Sequence, residues 1–183
     1  MREIEVKLKV NNLNFLEKEL SKAGCEFSEP IFQHDAIYSS RNINDEFDKS
    51  KEGDVIIRIR KQNGKAELNL KKQKSFEMDN LEYETEIENP DSVHQMLLIL
   101  GWKPVIEVKK IRKKVKFKEY EICLDRVEKL GDFVEIEKMT EDSADPKEVR
   151  KELFDVMKQF GFSEKDEETR GYDTQIYQLE NKK

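Results

Sequence analysis

The chain reads as an α+β fold: an antiparallel sheet, curved or closed into a barrel, with helices laid on its outside. Three observations predict it. Charged and apolar residues alternate at period two in several runs, each acidic run is followed by apolar residues at helical spacing that stop at a glycine, and short turn signals join the segments between. Alternation at period two sends successive side chains to opposite faces of a strand, so each run has one ionic and one apolar face.

The elements follow in chain order. Glu3, Glu5 and Lys7 interleave with Ile4, Val6 and Leu8 as a first strand, and Leu13, Leu16 and Leu20 then mark a helix capped by Asn11 or Asn12 and stopped by Gly24. Strands are expected around 35–38, over 55–61 and over 66–71, the last two joined by Asn63-Gly64, a hairpin turn pair. Residues 42–53 carry six charges and no apolar period, which reads as a mobile loop. A second acidic strand sets Glu82, Glu84 and Glu86 against Tyr83, Thr85 and Ile87. Asn89-Pro90 then starts a helix whose expected buried stripe is Val93, Met96, Leu97 and Leu100, ending at Gly101, with Trp102 packing beside it. Residues 103–117 form a long strand, bent or paired, and a turn at Lys118-Glu119 leads to a strand over 120–126. Glu135 and Glu137 with Val134 and Ile136 make the third acidic strand. Asp145-Pro146-Lys147-Glu148 resembles a capping box before the stripe Val149, Leu153, Val156 and Phe160, closed by Gly161.

At 183 residues the chain is expected to be one domain over 1–183, able to bury roughly 70% of its unfolded surface. The net charge of −6 disfavours nucleic acid and anionic membranes as partners, so an anion site requires a local concentration of cations. No apolar run reaches the length of a membrane span or signal peptide, which makes the cytoplasm the expected location. Two cysteines are too few for a disulfide framework, and no Cys/His spacing suits zinc. His34 and His94 lack a nucleophile constellation and read as surface or loop residues. No glycine-rich phosphate loop is present, so phosphate recognition would fall to side chains.

The signs are segregated. Arg58 and Arg60 flank Ile59, and Lys110, Arg112, Lys114, Lys116 and Lys118 alternate around Ile111, Val115 and Phe117. One reading leaves the ions on the wet face of a one-sided sheet. The other turns the barrel inside out, with Ile4, Val6, Ile57, Ile59, Leu68, Leu70, Ile111 and Val134 outward beneath helices and the ions around a wet lumen. Grouping Glu with Glu argues for the second, because like charges directly opposite one another destabilise a solvent face. The seven cations of 109–118 also fit a nucleic-acid stripe, although five of them share a face, as an anion-binding strand requires. Gathered carboxylates suit a hard divalent cation, and guanidinium and ammonium groups suit phosphate oxygens. The expectation is a metal-dependent enzyme acting on a triphosphate.

The order of motifs adds a resemblance. Glu3-Ile4-Glu5-Val6-Lys7 has the form E-x-E-x-K. Arg58-Ile59-Arg60, Lys71, Glu82 with Glu84, Lys110-Ile111-Arg112, Asp125 and Gly131-Asp132-Phe133-Val134-Glu135-Ile136-Glu137 follow in sequence. Together they resemble the CYTH superfamily, the triphosphate tunnel metalloenzymes, over nearly the whole chain. Gln33-His34-Asp35-Ala36-Ile37-Tyr38 is similar to an element frequent in the branch of class IV adenylyl cyclases and thiamine-triphosphatase-like proteins.

The resemblance implies an eight-stranded antiparallel β-barrel, a tunnel with a charged lumen and helices packed outside. It implies Mg²⁺ or Mn²⁺ on Glu3, Glu5, Glu84, Asp125, Glu135 and Glu137, a triphosphate across Lys7, Arg58, Arg60, Lys71, Lys110 and Arg112, and catalysis through Glu3, Glu5, Lys7, Asp125, Glu135 and Glu137. The partner would be a small-molecule triphosphate (ATP, tripolyphosphate or thiamine triphosphate), and the protein a monomer or homodimer. Binding register separates two outcomes, cyclisation of ATP to cyclic AMP and pyrophosphate or hydrolysis of a triphosphate; the Gln33–Tyr38 element tilts toward the cyclase. A module that holds polyphosphate without turnover is a third reading, against which the intact carboxylates argue. The chain departs from the pattern at Asn69, where the family has Thr, and at Lys72 beside Lys71. Glu82 and Glu84 share a face, so either could be nearer the metal. The carboxy-terminal Arg170-Gly171-Tyr172-Asp173-Thr174-Gln175-Ile176 would be a plug or a ligand contact.

Overall fold

The structure, a computed structural model, describes residues 2–40, 47, 49 and 51–181; most of the expected 42–53 loop lies outside the described residues. Eight strands, β1 (Arg2–Lys9), β2 (Ile31–Ser39), β3 (Val55–Gln62), β4 (Lys65–Gln73), β5 (Asp79–Ile87), β6 (Lys103–Phe117), β7 (Tyr120–Val127) and β8 (Gly131–Thr140), close into a barrel in the order β1-β5-β4-β3-β2-β6-β7-β8. All neighbours are antiparallel. The four helices are α1 (Leu13–Lys22), α2 (Pro90–Ile99), α3 (Pro146–Lys158) and α4 (Tyr172–Asn181). None is long and apolar enough to cross a membrane.

Local chemistry sets the connections. Asn63 and Gly64 both take positive φ, 48° and 77°, which matches the twist of the β3–β4 hairpin. Asn12 and Asn89 cap α1 and α2 by accepting from the N–H three residues on, and Asp145 caps α3 by accepting from Lys147 N. The long β6 is one continuous strand, hydrogen-bonded to β2 on one edge and β7 on the other, with a register shift at Ile37/Tyr38.

Closure depends on an uneven seam. β1 pairs with β8 along its whole length but with β5 only at Arg2–Ile4 opposite Asp79–Leu81. There the buried Arg2 guanidinium forks onto Asp79, with Nε–Oδ1 2.8 Å and Nη2–Oδ2 2.9 Å, while its Nη1 donates to the carbonyls of Asp142 and Ala144. A bidentate, fully partnered ion pair tolerates burial, so Arg2 fastens the barrel where the backbone ladder is shortest.

The main core is outside the barrel. Ile4, Val6, Leu8, Ile122, Leu124, Val134 and Ile136 turn outward and meet Leu13, Leu16 and Leu20 of α1 and Val149, Leu153, Phe154, Val156 and Met157 of α3. A smaller cluster joins Leu97 of α2 to Tyr38 and Ile59, with Val93 and Trp102 half-buried beside it. Two expectations fail on this face. Met96 and Leu100 are 59% and 73% exposed, because α2 touches the convex barrel through the line of Leu97 and residues to either side rotate into solvent. Ile111 is 46% exposed, and Leu68 and Leu70 are only half-buried.

The fourth helix behaves differently. Ile37, Val108, Val127 and Phe133 share strand faces with Asp35, Lys110, Asp125 and Glu135, so they point into the barrel. They pack against Tyr172 and Ile176 of α4. The helix therefore seals one end of the tunnel with apolar side chains.

Candidate active site

Strand parity assembles the lumen. Glu3, Glu5 and Lys7 come from β1, Asp35 from β2, Arg58 and Arg60 from β3, Lys71 from β4, Glu82 and Glu84 from β5, Lys110 and Arg112 from β6, and Glu135 and Glu137 from β8; all line one cavity. Asp125 of β7 is fully buried in the same wall, hydrogen-bonded to Lys110 and Arg112. Every site residue expected from the sequence is thus placed around one space, whereas Glu86, Lys116 and Lys118, which share its strand parity, lie exposed outside it.

Within that space the carboxylates divide into two populations. Arg112 forks onto Asp125, with Nε–Oδ1 2.7 Å and Nη2–Oδ2 2.5 Å, and also reaches Glu135, while Lys110 Nζ lies 2.9 Å from Asp125. Burial alone would push both acids toward protonation. Arg112 and Lys110 reverse that and hold Asp125 below, and Glu135 well below, the usual carboxylate range. Asp35 is held low in the same way: burial opposes its charge, but Arg58 at 3.5 Å and the two 2.7 Å bonds from Arg60 outweigh it.

Glu3, Glu5 and Glu137 form the second population. One oxygen from each lies within 4.8 Å of the others, a spacing at which a single cation could take all three. Burial raises all three, further aided by mutual repulsion: Glu3 goes well above its ordinary value against the pull of Lys71, Glu5 is raised beside Glu135, and Glu137 moves to about 7. Lys71 stands between Glu3, at 3.5 Å, and Glu82, which it contacts closely; Lys7 lies 3.7 Å from Glu5 and 3.5 Å from Glu135. Hard oxygen donors within 4.8 Å of one another and an excess of negative charge fit a hard divalent ion such as Mg²⁺ or Mn²⁺.

The remaining expected ligands sit elsewhere in the wall. Glu84 accepts from Asn69 Nδ2 at 2.9 Å, and Asn69 in turn accepts from Arg58 Nε at 3.0 Å. Asn69, where the family pattern has Thr, thereby links a phosphate-binding candidate to an acidic strand. Sequence reasoning assigns no role to Asp35, although it shares a face with Gln33 two residues before it. Cys123 is also unassigned; its buried thiol lies with Glu121 and Glu137 in a second close group, and burial holds it protonated. The period-two rule applied to 120–126 places both Glu121 and Cys123 on the face of Asp125.

The model of the CYTH domain family matches residues 1–172. The chain belongs to the CYTH family. A Methanocaldococcus jannaschii protein named "Putative adenylate cyclase" is 31% identical over 165 residues, covering 89% of this CYTH chain and 91% of the relative. Among solved structures, the PH1012 protein from Pyrococcus horikoshii matches with a TM-score of 0.77 at 29% identity, over 93% of this chain and 96% of that one. A Vibrio parahaemolyticus protein described as a "putative adenylate cyclase" matches with a TM-score of 0.77 at 26% identity, over 93% and 94%. The closed eight-stranded antiparallel barrel is the CYTH tunnel fold.

Proposed function

We propose that this CYTH protein is a metal-dependent enzyme acting on a triphosphate, and that its reaction is the conversion of ATP to cyclic AMP and pyrophosphate. The observation that carries the reading is the separation inside one cavity: Glu3, Glu5 and Glu137 gathered with raised proton affinity, beside guanidinium and ammonium groups from β3, β4 and β6. The names borne by relatives across the same span support the cyclase outcome.

Glu3, Glu5 and Glu137 would hold Mg²⁺ or Mn²⁺, which supplies charge neutralisation and Lewis acidity at the reacting phosphoryl oxygen when bound. The protein's own groups position the substrate. Arg58 and Arg60, oriented by Asp35, and Arg112, oriented by Asp125 and Glu135, would offer phosphate oxygens the guanidinium N–H groups those contacts leave over, while Lys7, Lys71 and Lys110 add point charges. Catalysis of phosphoryl transfer rests mainly on such placement and charge stabilisation, so no histidine base is required.

The test is to incubate the protein with ATP, tripolyphosphate and thiamine triphosphate, with and without Mg²⁺ or Mn²⁺, and to follow phosphate, pyrophosphate and cyclic AMP. Cyclic AMP and pyrophosphate from ATP, only with metal, is the expected result. Phosphate release without cyclic AMP would replace cyclisation by hydrolysis in the other register. Silence in every channel with tight binding kept would make the tunnel a binding module.

A further inference from the structure

The closed end of the tunnel holds a buried polar group, unpartnered among the described residues, that neither the metal set nor the phosphate set uses. Tyr172, first residue of α4, lines the cavity and is 7% exposed, and its hydroxyl has no hydrogen-bond partner among the described residues. Its ring is fixed from several sides. Phe133 packs edge-on at 5.2 Å, and the ammonium groups of Lys7 and Lys110 stand 4.3 Å and 4.9 Å from the ring centroid. Lys7 is also tied to the start of α4 through the carbonyl of Arg170 at 3.2 Å.

In this geometry no neighbouring group accepts the hydroxyl proton. Asp125 and Glu135 are engaged by Arg112 and Lys110, and the helix N-terminus is capped by Glu77, which accepts from Gly171 N at 2.6 Å and Thr174 Oγ1 at 2.7 Å. A buried hydroxyl donor left unpaired is costly, and the two ammonium groups over its ring bring positive charge to the same end of the cavity. We propose that the Tyr172 hydroxyl donates to a substrate phosphoryl oxygen held between Lys7 and Lys110, making the start of α4 part of the binding site as well as its seal. The inference rests on the triphosphate reading of the same tunnel and adds the residue that anchors the phosphoryl group nearest the closed end.

Tyr172→Phe deletes the hydroxyl and keeps the ring beneath both lysines. Titration calorimetry with inorganic tripolyphosphate and Mg²⁺ should show Kd raised about tenfold or more, the effect of one hydrogen bond to a charged acceptor. The ligand-free Tm should stay unchanged or rise by about 2–4 °C, because an unsatisfied buried group is removed. An unchanged Kd would overturn the proposal, leaving the hydroxyl to an ordered water. A weaker Kd accompanied by a lower ligand-free Tm would also overturn it, because the hydroxyl would then be acting through the seating of α4. If the unaltered protein neither binds tripolyphosphate nor turns over any triphosphate, the functional reading itself fails; if it does and the variant matches it, only the role of Tyr172 falls.

Discussion

Glu135 and Glu137 stand two residues apart on one strand, face the same lumen and are both largely buried, yet their acidities move in opposite directions. Glu135 is buried but gripped by Arg112, with Lys110 and Lys7 nearby, and is held well below the usual carboxylate range; Glu137 feels Arg112 more weakly, and burial with the charges of Glu5 and Glu121 lifts it to about 7. Residue type therefore does not set acidity here; the balance of nearby charge does. Around Arg112 the charges are balanced, which on the proposed function makes them the scaffold for phosphate recognition. Around Glu3, Glu5 and Glu137 negative charge is in excess, which is the condition for recruiting a metal.

The sharpest way to break this contrast is to remove the cation from the balanced side. Arg112→Ala leaves Asp125 and Glu135 buried without their main partner and should cost about 3–5 kcal/mol in chemical denaturation. A loss under 1 kcal/mol would show that the pair is not the scaffold described.

On the unbalanced side, pH is the probe. Glu137 has a folded pKa near 7, above its ordinary value of 4.5, so the folded state holds more protons than the unfolded state between those limits. Stability of the metal-free protein should accordingly fall as pH rises from about 4.5 to 7, by on the order of 3 kcal/mol. Glu3 and Glu5 shift the same way. Saturating Mg²⁺ or Mn²⁺ should flatten the slope; a slope of the opposite sign without metal would contradict the excess of negative charge.

Substitution gives a smaller effect of the same kind. Glu3→Ala or Glu5→Ala should abolish metal-dependent turnover while leaving ligand-free stability unchanged or higher by up to ~1 kcal/mol, because a repulsive charge is deleted. A large fall in metal-free Tm would count against that.

The smallest stability effect is expected at Arg58, which meets Asp35 at 3.5 Å while Arg60 carries the bidentate contact. Arg58→Ala should raise KM for the triphosphate several-fold with Tm nearly constant. An unchanged KM would remove it from the phosphate row.

Much of this was legible along the strands. Parity alone places Glu3, Glu5, Arg58, Arg60, Lys110, Arg112, Glu135 and Glu137 on inward faces, and the glycines at 24, 101 and 161 end α1, α2 and α3 with positive φ. What parity cannot reveal is where along a face the environment changes. Asp35 gives way to Ile37, Lys110 to Val108, Asp125 to Val127 and Glu135 to Phe133, all on inward faces, and those switches mark the end that α4 fills. They become meaningful only once a helix more than thirty residues distant docks on all four strands. The exposure of Met96, Leu100 and Ile111 was hidden for a related reason: a helical stripe states which residues can be buried, while the curvature of the barrel decides how many are.

The seal has a kinetic consequence. If the tunnel turns over a triphosphate as proposed, α4 across one end would make the fragment lying deepest leave by the path along which the substrate arrived. Departure would then be sequential, the outer product first, with the inner fragment competing against the next incoming molecule until it has cleared the doorway.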